Sequence, residues 1–299
     1  MATQFFVGDA IPDEICRYLP NCERISTKKE EWDDIKKIKQ FRLRSLWMYR
    51  PRIWFTHIYA QDHLLFSPQL IGHQKYYLLE DAPGCFSIVS NPHNKFFKVY
   101  MPDDLKTQLW LKIYKGSIYG HSFGRNSQCI NRILTSPEDF MSYLIRGKKY
   151  QQVDLQQMWD SSDEQKRSFI KNMFGITHEM EEAMSKAETL YLSQPFVEDC
   201  GLSKDEIKDI VQPHYEKWKS GGFVIKPHPR DKFDYRVEFP EAQIMQTKAP
   251  MQLLNIMGMK FKRAITVCST AISSLSPETE RIWLSSSINE KISSVYGIQ

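Results

Sequence analysis

Thr189-Leu190-Tyr191-Leu192, then Ser203-Lys204-Asp205-Glu206, then Gly221-Gly222-Phe223-Val224-Ile225-Lys226-Pro227-His228-Pro229 decide the fold class. Leu190 to Leu192 reads as a short apolar strand, and Pro195 and Gly201 mark the loop after it. Ser203 with Glu206 three residues on is a capping-box opening for a helix running towards Trp218. Gly221 and Gly222 stop that helix. Phe223 to Ile225 is a second buried strand, which Pro227 and Pro229 keep from continuing. A strand, a helix and a strand joined by a right-handed crossover give parallel strands, so the chain is α/β. His228 is thereby presented on a rigid loop at the carboxyl end of a strand, the edge where open α/β sheets bind ligands. Lys226 and Arg230 flank it with the charge a phosphate needs. A capped turn with a solvated basic rim is the plain alternative for this motif alone.

Two further segments have the same form. Tyr76 to Gly84 is an apolar run ending in Glu80 and Asp81, so both carboxylates fall at a strand's carboxyl edge, where one can be kept as a base. Ala264 to Leu275 runs from a strand into a hydroxyl-rich turn and a helix start that Ser269 and Thr270 can cap. The same amides and hydroxyls can hold a phosphate. Further strands are expected near Gln4 to Val7, Ile53 to Ile58 and Phe96 to Tyr100. Helices are expected over Trp32 to Tyr49, Ser136 to Ile145, Asp163 to Phe174 and His178 to Ala187, the last two as charged helices between domains. Gly116, Gly120 and Gly124 read as a flexible loop, and the remaining histidines, His63 among them, as surface or hydrogen-bonded core residues.

In this order the carboxylate pair, the His-Pro motif and the Ser-Thr pair resemble the bacterial GT-B sialyltransferases, most closely glycosyltransferase family 52 and its polysialyltransferase relatives. The resemblance covers roughly residues 50–280. Ala82 stands where the family pattern has glycine, with Gly84 two positions on, and the family's Pro-Leu-Gln loop is not visible before Gln4-Phe5-Phe6-Val7.

The resemblance implies two Rossmann-like domains facing a central cleft: an acceptor-side domain over 1–160 and a CMP-sugar-binding domain over 161–299. It implies inverting transfer of sialic acid from CMP-sialic acid to a glycan: lipooligosaccharide, O-antigen or a capsule repeat. Asp81, with Glu80 as the other choice, would be the base. His228 would meet the CMP phosphate, and Lys226, Pro229, Arg230, Ser269, Thr270 and Ser273 would hold the donor. Transfer of another CMP-activated nonulosonic acid, of Kdo or of glucose, or a catalytically silent nucleotide- or glycan-binding protein, are the readings left open beside it.

Composition agrees. With 299 residues and 41% hydrophobic content, the chain has core enough for two domains. No Asp-x-Asp occurs, which fits a monophosphate donor needing no cofactor and no metal. Six cysteines without Cys-x-x-Cys spacing point to a reducing cytoplasm and no zinc site. Neither a transmembrane run nor a signal peptide is expected, since the first 20 residues hold Asp9, Asp13, Glu14 and Arg17. From Lys36 to Arg52 stand seven basic residues and no acid, interleaved with Ile38, Phe41, Leu43, Leu46, Trp47 and Tyr49. Such a segment can lie on an anionic membrane as a peripheral contact, or pack as an ordinary amphipathic helix. No zinc knuckle or aromatic RNA-binding signature supports nucleic acid.

Overall fold

The computed structural model describes residues 3–9, 11–27, 34–49, 57–64, 66–81, 89–92, 97, 104–110, 122–135, 147 and 149–296. The chain divides into two compact units, Met1–Leu155 and Gln156–Gln299. No helix among the described residues is long and apolar enough to cross a membrane.

In the first unit, β1 (Phe5–Gly8) and β2 (Cys22–Ile25) pair in parallel. A second parallel sheet has the order β3 (Tyr59–Ala60), β4 (Tyr76–Leu79), β5 (Cys129–Leu134) and β6 (Lys149–Gln152). β4 alternates buried Tyr76 and Leu78 with the less buried Tyr77 and Leu79, as a half-covered strand does. The basic segment forms an α-helix over Ile35–Arg44, capped by the Asp34 carboxylate on the Lys36 amide at 2.8 Å, and ends in a π-helical turn over Ser45–Tyr49. Its inner face, Ile38 and Tyr49, joins Ile25, Phe66 and Leu70 in a small core.

The second unit is a five-stranded, all-parallel sheet of β7 (Thr189–Leu192), β8 (Phe223–Lys226), β9 (Gln243–Ile244), β10 (Arg263–Thr266) and β11 (Glu280–Trp283). The spatial order is β11-β10-β7-β8-β9. The chain therefore builds outward from β7 in one direction, then returns to build in the other, and the reversal lies between β7 and β10, the switch point where such sheets bind ligands. All four residues of β7 and of β8 are buried. Leu190, Leu192, Val224 and Ala264 enter one core, and Tyr191, Phe223, Ile225 and Ile265 the other, because successive side chains point to opposite faces. The capping box forms as the sequence predicts: Glu206 N donates to Ser203 Oγ at 3.3 Å and Ser203 N donates to Glu206 Oε2 at 2.7 Å, opening the helix Lys204–Trp218. Gly222 is required where that helix gives way to β8. Its φ is +80°, and a Cβ there would lie 2.9 Å from Ala187 Cα.

Several expectations are corrected, and others fall on residues outside the described set. The helices Glu164–Met173 and His178–Ser185 do not bridge domains: Ile170, Met180 and Met184 pack in the core of the second unit. Their charge hid an apolar stripe that the sheet covers. Of the strand expected over Ile53 to Ile58, residues 53–56 lie outside the described set, His57 and Ile58 are not in a strand, and a strand follows at Tyr59–Ala60. Of Phe96 to Tyr100 only Phe97 is described, and it is helical. The helix expected over Ser136 to Ile145 lies outside the described residues. The helix expected after Ser269 is one 3-10 turn, Thr270–Ser274, and Ser269 makes no side-chain cap bond to it.

Candidate active site

At the carboxyl edge of the second unit, the His-Pro loop is clamped from below. The His228 amide donates to Ser193 Oγ at 2.9 Å, Ser193 being the first residue after β7, and the Ser193 hydroxyl donates in turn to Asp231. Asp231 also accepts from the Phe233 amide at 3.1 Å and the Tyr235 hydroxyl at 3.0 Å, and its own amide donates to the His228 carbonyl at 2.9 Å. Burial raises the Asp231 carboxyl above its ordinary value, against the pull of these donors.

The imidazole's chemistry follows from its contacts. His228 Nδ1 accepts from the Arg230 amide at 3.2 Å, which places the ring proton on Nε2. Burial lowers its pKa, and the nearby charges of Arg230 and Lys226 lower it further, while Asp199 opposes them. His228 is thus a neutral ring with Nε2–H as a hydrogen-bond donor. Lys226 is only 8% exposed, no carboxylate among the described residues pairs with it, and burial alone lowers its pKa to about 8. Arg230 is placed differently from Lys226. It forms a two-pronged pair with Asp199 at 2.8 and 3.0 Å, and Asp199 also accepts from the Tyr296 hydroxyl at 2.7 Å. Pro229 is an exposed turn residue.

Across the switch point, Thr266 Oγ1 donates to the Leu192 carbonyl at 2.9 Å and accepts from the Ser269 amide at 3.0 Å, stapling the end of β10 to that of β7. Ser269 is buried, while Thr270 and Ser273 are exposed on the turn that follows. Because β8 and β10 flank β7, the strands that lead into the His228 loop and the Ser269 turn are two strand spacings, about 10 Å, apart. A pocket of about 580 Å³ lies beyond the β9 edge between Met180, Arg236, Ile244 and Gln246, and no residue singled out from the sequence lines it.

The first unit separates the two carboxylates. Glu80 Oε2 accepts from the Thr135 amide at 2.6 Å and the Thr135 hydroxyl at 3.0 Å, so it ties off the end of β5. Asp81 is 44% exposed at its side chain, accepting from Gln61 Nε2 at 3.2 Å on one oxygen and facing His63 Nε2 at 3.2 Å on the other. His63 is stacked on Phe123, ring centroids 4.9 Å apart. Asp62, between Gln61 and His63, is fully buried and accepts from the amides of Phe123 at 2.7 Å and Gly124 at 2.8 Å and from the Tyr76 hydroxyl. Burial raises its pKa, and the three donors oppose that rise. These bonds bind the 61–63 loop to the 122–124 turn. Gly124 has φ +75°, and a Cβ there would meet Leu78, Cys129 and Arg132 within 3.3 Å, so this glycine packs tightly against its neighbours. Ala82, Gly84, Gly116 and Gly120 lie outside the described residues.

Sequence reasoning missed His63. The available signal was position: it follows β3 as Asp81 follows β4, and neighbouring parallel strands bring their ends together. Among the described residues, no three His, Cys, Asp or Glu side chains gather to hold a metal ion.

A model of glycosyltransferase family 52 matches residues 26–282. An uncharacterized protein of Haemophilus influenzae is 24% identical over 265 residues, 88% of this chain and 80% of that protein. Among solved structures, the α/β-galactoside α-2,3-sialyltransferase of Photobacterium phosphoreum superposes with a TM-score of 0.53 at 11% identity, over 94% of this chain and 83% of its own. The GT-B domain of the Photobacterium damselae sialyltransferase gives 0.54 at 12% identity, over 93% and 82%. The fold is GT-B.

Proposed function

Because the chain belongs to glycosyltransferase family 52, we propose that it is a sialyltransferase, moving sialic acid from CMP-sialic acid to a glycan hydroxyl with inversion and without a metal. The observation that carries this reading is the rigid His-Pro loop, where a neutral Nε2–H donor stands beside a lysine that no carboxylate among the described residues neutralises. That pair is complementary to a departing phosphate.

In the proposed reaction the acceptor O–H gives its proton to the Asp81 carboxylate as its oxygen bonds to the anomeric carbon. The bond from that carbon to the CMP phosphate breaks, and its electron pair leaves on the phosphate. Charge grows on the phosphate as it departs, and donors held in place beside it would stabilise the transition state more than the ground state. His228 Nε2–H, the Lys226 ammonium and the hydroxyls of Ser269, Thr270 and Ser273 are those donors. Gln61 and His63 hold the base. Arg230 has a supporting part, since its pair with Asp199 fixes the loop while its amide fixes the His228 tautomer. Pro229 keeps the loop from extending β8. The enzyme would act in the cytoplasm on a lipid-linked or surface glycan: lipooligosaccharide, O-antigen or a capsule repeat.

Incubating purified protein with CMP-sialic acid, CMP-Kdo, another CMP-nonulosonic acid and a nucleotide-diphosphate glucose, each with and without chelator, tests the donor and the metal together. Turnover with CMP-sialic acid that is unchanged by chelator is expected. Activity lost in chelator and restored by magnesium or manganese contradicts metal independence, and preference for another donor replaces sialic acid.

A further inference from the structure

The helix Ile35–Arg44 and its π turn end in an apolar cluster that the core does not use. Trp47 is 80% exposed and Leu43 57%, with Leu46 and Met48 also exposed. The opposite side of the segment is well held: Ile38 and Tyr49 are buried, and the Tyr49 ring meets Phe6 edge-on at 5.1 Å. The cluster is thus a fixed surface, because packing on its far side sets its orientation.

Charge identifies the partner. Between Ile35 and Tyr49 there is no acidic residue. Arg42 donates to Gln69 at 2.9 Å and Arg44 lies 3.4 Å from Glu23, so those two serve the fold. Lys36, Lys37 and Lys39 are exposed, and no carboxylate pairs with them among the described residues. Three ammonium groups on the helix without a carboxylate partner among the described residues, followed by an exposed Trp, two Leu and a Met, match a bilayer with anionic headgroups. Lysines meet phosphates at the surface while the apolar side chains enter the headgroup and acyl boundary. A second copy would bring lysines against lysines across a two-fold axis. A single-stranded nucleic acid is held by bases stacked on aromatic rings, and Leu43, Leu46 and Met48 are not aromatic. We infer that residues 36–48 form a docking surface for an anionic lipid bilayer.

Co-sedimentation with vesicles of phosphatidylglycerol and phosphatidylcholine in equal parts, against phosphatidylcholine alone, tests this. The parent should bind the anionic vesicles, and less as salt rises from roughly 0.1 to 0.5 M. Lys36→Gln/Lys37→Gln/Lys39→Gln should weaken binding by roughly 100-fold, about fivefold per lysine. Leu43→Gln/Trp47→Gln should weaken it by roughly tenfold or more at every salt concentration. Single Lys37→Glu, a mild surface change, should give a partial loss in the same direction. No binding by the parent, equal binding to both vesicle types, or binding by the triple variant equal to the parent overturns the proposal. So does a Leu43→Gln/Trp47→Gln variant that breaks a dimer or loses oligonucleotide binding while vesicle binding is kept. Turnover on a soluble acceptor is read in parallel, so failure of the enzymatic reading is seen separately from failure of docking.

Discussion

Asp81→Asn is expected to lower turnover by roughly 100-fold or more, the scale of a removed general base, while CMP affinity stays nearly unchanged. The amide keeps the shape and can still meet Gln61 and His63, so the lost quantity is proton acceptance. Glu80→Gln provides the contrast. Its carboxylate receives both donors of Thr135, so that change should lower the thermal midpoint and leave the folded enzyme's turnover close to the parent's. Steady-state kinetics with CMP titration decide between them. An active Asp81→Asn beside a dead Glu80→Gln gives the base to the wrong carboxylate.

His228→Ala should behave differently, weakening CMP binding by roughly tenfold or more, as loss of a hydrogen bond to a charged group does. It should also lower kcat by roughly 100-fold, the scale of a missing donor to a developing anion. Because the ring is held neutral, with Nδ1 accepting from Arg230, the parent should show no loss of activity from His228 deprotonating as pH rises through 7. The basic limb should come from Lys226, charged below its pKa of about 8 and neutral above it. Bound CMP stabilises the ammonium, so the limb in kcat should lie at higher pH than the limb in kcat/KM. A Lys226→Arg variant that keeps the same limb contradicts this assignment.

What was legible in the sequence was whatever is written locally. β7 and β8 are covered on both faces and so appear as continuous apolar runs, with Gly222, Pro227 and Pro229 as punctuation and Ser203 with Glu206 as a cap inside one helical turn. β4 was also readable as an apolar run, Tyr-Tyr-Leu-Leu, although only one of its faces is buried. The edge strands were not: Lys149–Gln152 is exposed throughout and Glu280–Trp283 nearly so, and their sequences match loops as well as strands. Partners distant in the chain were also hidden. The pairing of Arg230 with Asp199, 31 residues away, is one example. His63 gains meaning only beside Asp81 and Phe123, which the sheet and the buried Asp62 bring to it. Ser269 resembled a helix cap because the residues after it are good turn formers, yet its amide is spent on Thr266 and only a 3-10 turn follows.

The most direct test of the account is to react the purified protein with CMP-sialic acid and a panel of bacterial surface-glycan acceptors, following both products by mass spectrometry and the new linkage by NMR. The account predicts one CMP released for each sialylated acceptor formed, with the anomeric configuration inverted relative to the donor. CMP release without a sialylated product, retention of configuration, or no reaction from any CMP-sugar while a nucleotide-diphosphate sugar is consumed would contradict it.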